Sequence, residues 1–117
     1  MLAKPSPTGY AEPMSDFLDV AGASGTTYRF RRASLDALPA MAGNLVVVRR
    51  GRSGAEFLLC AAAGGLTQVR APAAAALKGR DGAAVYVRLN VARAVREAEH
   101  ADIVAAVAPR AELAEAD

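Results

Sequence analysis

Glu99 is the residue of this chain best placed to do chemistry. On a helical wheel centred on it, Ala92 and Ala106 fall within about 20 degrees, and Val95 and Ile103 within about 40 degrees. A carboxylate in the middle of an apolar stripe faces burial. Burying a bare carboxylate is costly, so Glu99 requires a partner or a partly wet pocket. Arg96, one turn earlier, is the local partner, and Arg88 on the preceding strand and Arg70 are the nonlocal ones. Two roles are open at this position: an ion pair at the rim of the core, or a carboxylate held at a cleft to bind a cation or accept a proton.

Arginine offers a second chemistry. The net charge of the 117 residues is only +2, but it is unevenly spread. Between Thr26 and Arg52 lie Arg29, Arg31, Arg32, Arg49, Arg50 and Arg52, against Asp36 alone. From Glu97 onward come Glu97, Glu99, Asp102, Glu112, Glu115 and Asp117, against Arg110 alone. Guanidinium forks suit phosphates, so Arg29, Arg31, Arg49, Arg50 and Arg52 are the candidate contacts to a nucleic-acid backbone. A solvated strand edge and turn is the plainer alternative.

Other reactive centres are scarce. Cys60 is the one cysteine and His100 the one histidine, which excludes an internal disulfide and a Cys/His zinc site. Cys60 ends the run Phe57-Leu58-Leu59-Cys60 and reads as a small buried hydrophobe. His100 lies about 100 degrees round from Glu99, toward the edge of the packing face. No phosphate loop, dinucleotide fingerprint or nucleophile elbow is present, so no catalytic residue, metal or cofactor is assigned.

The elements that must position these side chains follow from periodicity. Thr26 to Arg32 alternates, with Tyr28 and Phe30 pointing one way and Arg29 and Arg31 the other, as in a half-buried strand. Ser34 is suited to cap a turn of helix that Pro39 stops. Asn44 to Arg50 is a β-branched run expected of a strand buried on both faces. Gly51-Arg52-Ser53-Gly54 is turn chemistry, and Glu56 to Cys60 returns as the second arm of an antiparallel hairpin. Leu66 to Leu77 is alanine-rich and helical in its second half, with Pro72 in a first turn. Val85 to Val91 alternates as a strand, and Ala92 to Val107 is a helix stopped before Pro109.

This order, β-β-β-α-β-α, gives an α+β fold: a small three- to four-stranded, mostly antiparallel sheet with helices packed on it. Residues 1–25, rich in Pro, Gly, Ser and Ala, read as a flexible N-terminal arm with one helical turn begun at Ser15-Asp16. Residues 26–110 form a single domain and 111–117 an acidic tail. The chain has no signal-like or membrane-length apolar run, and with a lone thiol this fits the cytoplasm. Aromatic residues make up 5% of the chain, so the core rests on Val, Leu and Ile.

Residues 38 to 110 resemble the GIY-YIG nuclease domain. Gly43-Asn44-Leu45, preceded by Leu38-Pro39, stands where the first tripeptide of that family begins. Leu59-Cys60-Ala61 stands where the second would end the hairpin. Leu66-Thr67-Gln68-Val69-Arg70 is similar to the start of the arginine helix. Arg96 to Pro109, with Glu99 followed by Ile103-Val104, is similar to the glutamate helix. The resemblance implies a site at Gly43, Arg70 and Glu99, with the arginine on a phosphate and the glutamate on a metal. Leu45 and Leu59 replace the family's tyrosines, and Ala61 replaces the glycine of the second motif. Losing one such group commonly costs orders of magnitude in rate. The implied site is therefore vestigial, and the expected function is noncatalytic binding of nucleic acid. The alternatives are a protein-interaction or dimerisation module, built on an edge strand, the Tyr28 and Phe30 face or the alanine-rich helix, and a residual metal-dependent nuclease.

Overall fold

The computed structural model describes residues 16–114. Most of the expected arm, residues 1–15, and the end of the acidic tail, residues 115–117, lie outside the described residues. The strands are β1 (Phe17–Ala21), β2 (Thr27–Ala33), β3 (Gly43–Gly51), β4 (Gly54–Ala63), β5 (Ala83–Leu89) and β6 (Glu112–Leu113). Short 3-10 turns span Leu35–Ala37 and Leu66–Val69, and the helices are α1 (Arg70–Leu77) and α2 (Arg93–Val107).

All six strands join one sheet in the order β1-β2-β5-β3-β4-β6. Every pairing is antiparallel except β4 with β6, which is parallel. The expected sheet of three or four strands is therefore corrected to six, within the α+β class. Both missed strands sit at the edges. Phe17-Leu18-Asp19-Val20-Ala21 is short and broken by Asp19, and pairing with β2 makes it a strand. It also replaces the helical turn expected from Ser15-Asp16. β6 is two residues long and is defined by the neighbour it pairs with, Cys60↔Glu112 and Ala61↔Leu113.

The cross-strand register fixes which residues share a face. Phe17, Arg31, Val87, Leu45, Ala61 and Leu113 form one row across the whole sheet. One step along β2 from Arg31, the row Arg32, Tyr86, Val46, Cys60 and Glu112 lies on the opposite face. α1 and the turn before it cover the first face: Leu66, Val69 and Ala73 pack with Leu45, Val47, Val85 and Val87. α2 covers the second, with Ile103 packed among Tyr28, Phe30, Val46, Val48 and Tyr86. This double cover explains why Asn44 to Val48 is buried without interruption. A bulge between Val47 and Val48 lets Leu58 and Leu59, adjacent in β4, both join the α1 face.

α2 docks at a different angle from the one the wheel predicts. Its buried line runs through Arg96, His100 and Ile103, about 60 degrees round from Glu99, while Val95 is exposed. Alanines carry little weight in such a stripe. Ile103 and the long stems of Arg96 and His100 set it instead. No helix among the described residues is long and apolar enough to cross a membrane.

Candidate functional site

Polar groups enter the sheet where β5 leaves its centre and α2 crosses it. Asn44 is almost fully buried in β3, on the α2 face. Its side-chain amide donates to the Arg96 carbonyl at 3.1 Å, and its oxygen accepts from Asn90 Nδ2 at 3.0 Å. Asn90 Nδ2 also donates to Glu99 Oε1 at 2.9 Å, the oxygen that accepts from Arg88 Nε at 2.9 Å. Arg96 turns its guanidinium onto the carbonyls of Asn90 and Val91, at 2.9 and 2.8 Å, and so ties the β5–α2 connection to the helix. Arg88 lies 5.6 Å from the centre of the Tyr28 ring and donates to the Arg29 carbonyl.

Glu99 is thus an ion-paired carboxylate at the rim of the core, with its side chain 16% exposed. Of the partners expected for it, Arg88 makes the contact, and Arg70 does not. Arg70 pairs with Asp36 at 2.6 Å on the α1 side of the sheet. Gly43 has a separate reason for being glycine: a Cβ there would run into the Arg88 carbonyl oxygen of the adjacent strand. The three residues of the implied vestigial site therefore do not share a cleft. Among the described residues, no three His, Cys, Asp or Glu side chains are grouped to hold a metal ion.

A second polar anchor fastens the β1–β2 turn to α2. Asp102 accepts from the Ser24 backbone N–H at 2.8 Å, the Ser24 hydroxyl at 2.6 Å and the Tyr28 hydroxyl at 2.7 Å. These donors, Ser24 first and Tyr28 next, hold the carboxyl below its ordinary range, and partial burial opposes them. The same bond raises the Tyr28 phenol above its ordinary value. Gly22 is required for this approach, because a Cβ would collide with the Asp102 carboxylate.

A third group was not expected from the sequence. His100 is buried, and its Nε2 lies 2.9 Å from Glu112 Oε2, so the imidazole N–H donates to the carboxylate. Glu112 is paired across from Cys60. Burial, with the Glu112 charge second, pushes the Cys60 thiol up to about 12, which leaves it a small hydrophobe and a poor nucleophile. Centring the wheel on Ile103 instead of Glu99 would have brought His100 to the packing face.

The five predicted arginines divide. Arg29 pairs with Asp19 at 2.9 Å, and Arg49 with Glu56 at 2.7 Å, a carboxylate that Arg110 also meets. These contacts hold both carboxyls below their usual range, through the Arg29 hydrogen bond at Asp19 and the Arg49 and Arg110 hydrogen bonds at Glu56. Arg31 lies over the exposed Phe17 ring, 5.8 Å from its centre. Arg50 and Arg52 are exposed and have no acidic partner among the described residues. Arg32, left out of the sequence assignment, joins Arg50 around a groove of about 370 Å³ floored by Gly82, Ala83, Ala84 and Tyr86. Extending the β2 alternation by one residue would have put Arg32 on the face of Tyr28 and Phe30, past the helix cover.

The opposite end of the sheet exposes apolar side chains. Met41, Leu89, Val91 and Val95 are all exposed there, and Phe17, Pro39 and Leu89 share a groove with Arg29, Arg31 and Arg88. The Tyr28 and Phe30 face, expected as a contact surface, is instead buried under α2. Comparison with protein-family models, curated proteins and solved structures returned no match.

Proposed function

We propose that this chain is a noncatalytic binding domain that holds the backbone of a nucleic-acid strand at the hairpin end of its sheet. One observation carries the reading. Arg32 and Arg50 flank a groove floored by Gly82, Ala83, Ala84 and Tyr86, Arg52 stands at the adjoining turn, and none of the three has an acidic partner among the described residues. The register puts Arg32 level with Val46, two strands and four residues from Arg50. That is about 10 Å across the sheet and about 13 Å along it. Guanidinium groups free of internal carboxylates are the ones that gain by meeting phosphate.

A nuclease centre is not part of this reading. Arg70 and Glu99 belong to opposite faces, and each already has its partner. Glu99, Asp102 and Glu112 accept hydrogen bonds that join elements of the fold.

Fluorescence anisotropy with labelled single-stranded oligonucleotides, titrated across salt, tests the proposal. Three arginine contacts give a log–log salt slope of about −2 on a single strand, and each Arg→Ala change at Arg32, Arg50 or Arg52 lowers its magnitude by roughly 0.7. Arg29→Ala and Arg49→Ala leave the affinity nearly unchanged, because those guanidiniums are already paired. Equal losses at all five positions, or salt-insensitive binding, would refute the assignment. No binding at low salt would move the reading to a protein partner at the apolar end around Leu89 and Val91.

A further inference from the structure

The C-terminal strand is held differently from the rest of the sheet. β6 pairs with β4 at two positions, Cys60↔Glu112 and Ala61↔Leu113, and is the one parallel partner among the described strands. The connection from α2 passes through Ala108, whose φ of 46° is left-handed, and then Pro109, so the helix cannot continue into it. Beyond this turn the segment has four attachments among the described residues. Arg110 N–H donates to the Phe57 carbonyl, and the Ala111 carbonyl accepts from Cys60 N–H, each at 3.0 Å. The Arg110 guanidinium meets Glu56, and Glu112 meets His100. The charged side chains contributed by the segment are at least half in solvent or close to it, Arg110 60% and Glu112 46% exposed, whereas the partner of Glu112, His100, is buried.

What lies under the segment is apolar. Leu58 and Leu59 sit beside Ala111 and Leu113, with Pro72 and Ala76 of α1, around a groove of about 350 Å³. Cys60 is buried among Val46, Tyr86 and Ile103, and Glu112 flanks it. Antiparallel β3 pairs with the other edge of β4 along its whole length, so losing β6 leaves the main sheet intact.

We infer that residues 109–113 form a detachable strap over the outer edge of β4, opening without global unfolding. Release breaks the solvent-exposed Arg110–Glu56 pair, the hydrogen bond between buried His100 and Glu112, a two-residue ladder and the contacts of the part-exposed Leu113. It frees the amide of Cys60 and removes Glu112 from the edge-side flank of its thiol, which α2 covers from above. Exposed ion pairs contribute little, and short edge pairings belong to the low-stability end of a fold. A strap of this kind covers an unpaired edge that would otherwise invite strand addition.

The single cysteine makes the opening measurable. The rate at which an aromatic disulfide reagent labels Cys60 in the native protein is followed against urea, well below the unfolding midpoint. Labelling through the strap is nearly independent of urea and faster than global unfolding allows. The double variant Arg110→Ala/Glu112→Ala raises the rate about five- to twentyfold, from one exposed ion pair and one hydrogen bond to His100, with a much smaller proportional effect on global unfolding. Val47→Ala, on the other face, destabilises the whole domain but leaves low-urea labelling unchanged. Labelling with the full urea dependence of global unfolding would overturn the inference, and the wild-type protein alone suffices to show it. So would a double variant whose labelling rises only in step with its loss of global stability.

Discussion

Asn44 and Leu45 are neighbours in β3, both buried, and their side chains enter opposite faces of the same sheet. Leu45 meets an entirely apolar layer, with Val47, Leu66 and Val87 around it. Asn44 meets a hydrogen-bonded one, where Asn90, Arg96, Glu99 and Arg88 are joined in sequence. The apolar face excludes water from the sheet but accepts α1 in any orientation that fills space. The polar face fixes α2 residue by residue, since each buried polar group must find a partner or lose its hydration. Among the described residues, every buried side-chain nitrogen and oxygen has one. Chemistry-bearing residues are thus concentrated on one face, and there they act as fasteners.

Leu45→Ala has the largest expected effect. Truncating a fully buried leucine costs about 2–5 kcal/mol, because the rigid β3 backbone limits collapse into the void. Urea or thermal unfolding measures it, with secondary structure unchanged below the transition. A cost under about 1 kcal/mol would show that the α1 face is loosely packed. Asn44→Ala, one residue away, is expected to cost about 1–3 kcal/mol through the partners it leaves short of hydrogen bonds. Its distinguishing signature is local: amide exchange should accelerate over residues 90–100 and not over α1. Uniform acceleration across both helices would mean that the two faces are one cooperative unit, and the contrast between them would fail.

The same contrast explains how much was legible. β3, its hairpin with β4, and β5 could be read because β-branched runs and turn glycines are local signals, visible without knowing the neighbours. β1 and β6 could not, because Phe17–Ala21 and Glu112–Leu113 owe their strand character to β2 and β4. On the apolar face, burial follows from residue type. On the polar face it does not, and an arginine and the lone histidine lie on the buried line of α2 while Glu99 stands at its flank. Arg88 was among the partners foreseen for Glu99, but nothing local distinguished it from Arg70. Neutralisation of Arg49, by contrast, was available: a turn at Gly51–Gly54 puts Arg49 opposite Glu56 by counting alone. Counting could not find Asp19 opposite Arg29, since it required knowing that β1 exists.

Asp102 offers the smallest and most selective test of the polar face. Its carboxylate ties Ser24 and Tyr28 of the β1–β2 hairpin to α2. The Ser24 and Tyr28 hydrogen bonds favour the ionised form, so the folded protein holds this carboxyl below its ordinary value. A depressed carboxyl contributes stability that is present above the unfolded value and is lost as pH falls through the folded one. Tyr28 behaves in the opposite sense. Its phenol is raised chiefly by donating to Asp102, so its contribution is present below the ordinary tyrosine value and is lost as pH climbs through the raised one. The Tyr28–Asp102 bond is therefore complete across neutral pH and weakens at both extremes. Melting temperature measured against pH should show Asp102→Asn below the wild type at neutrality, with the two curves converging in acid once the carboxyl is protonated. Tyr28→Phe should likewise lie below the wild type at neutrality and converge with it in alkali. If the wild-type and Asp102→Asn curves ran parallel down to strong acid, the Asp102 charge would not be what holds the hairpin, and packing of Tyr28 under α2 would have to do so.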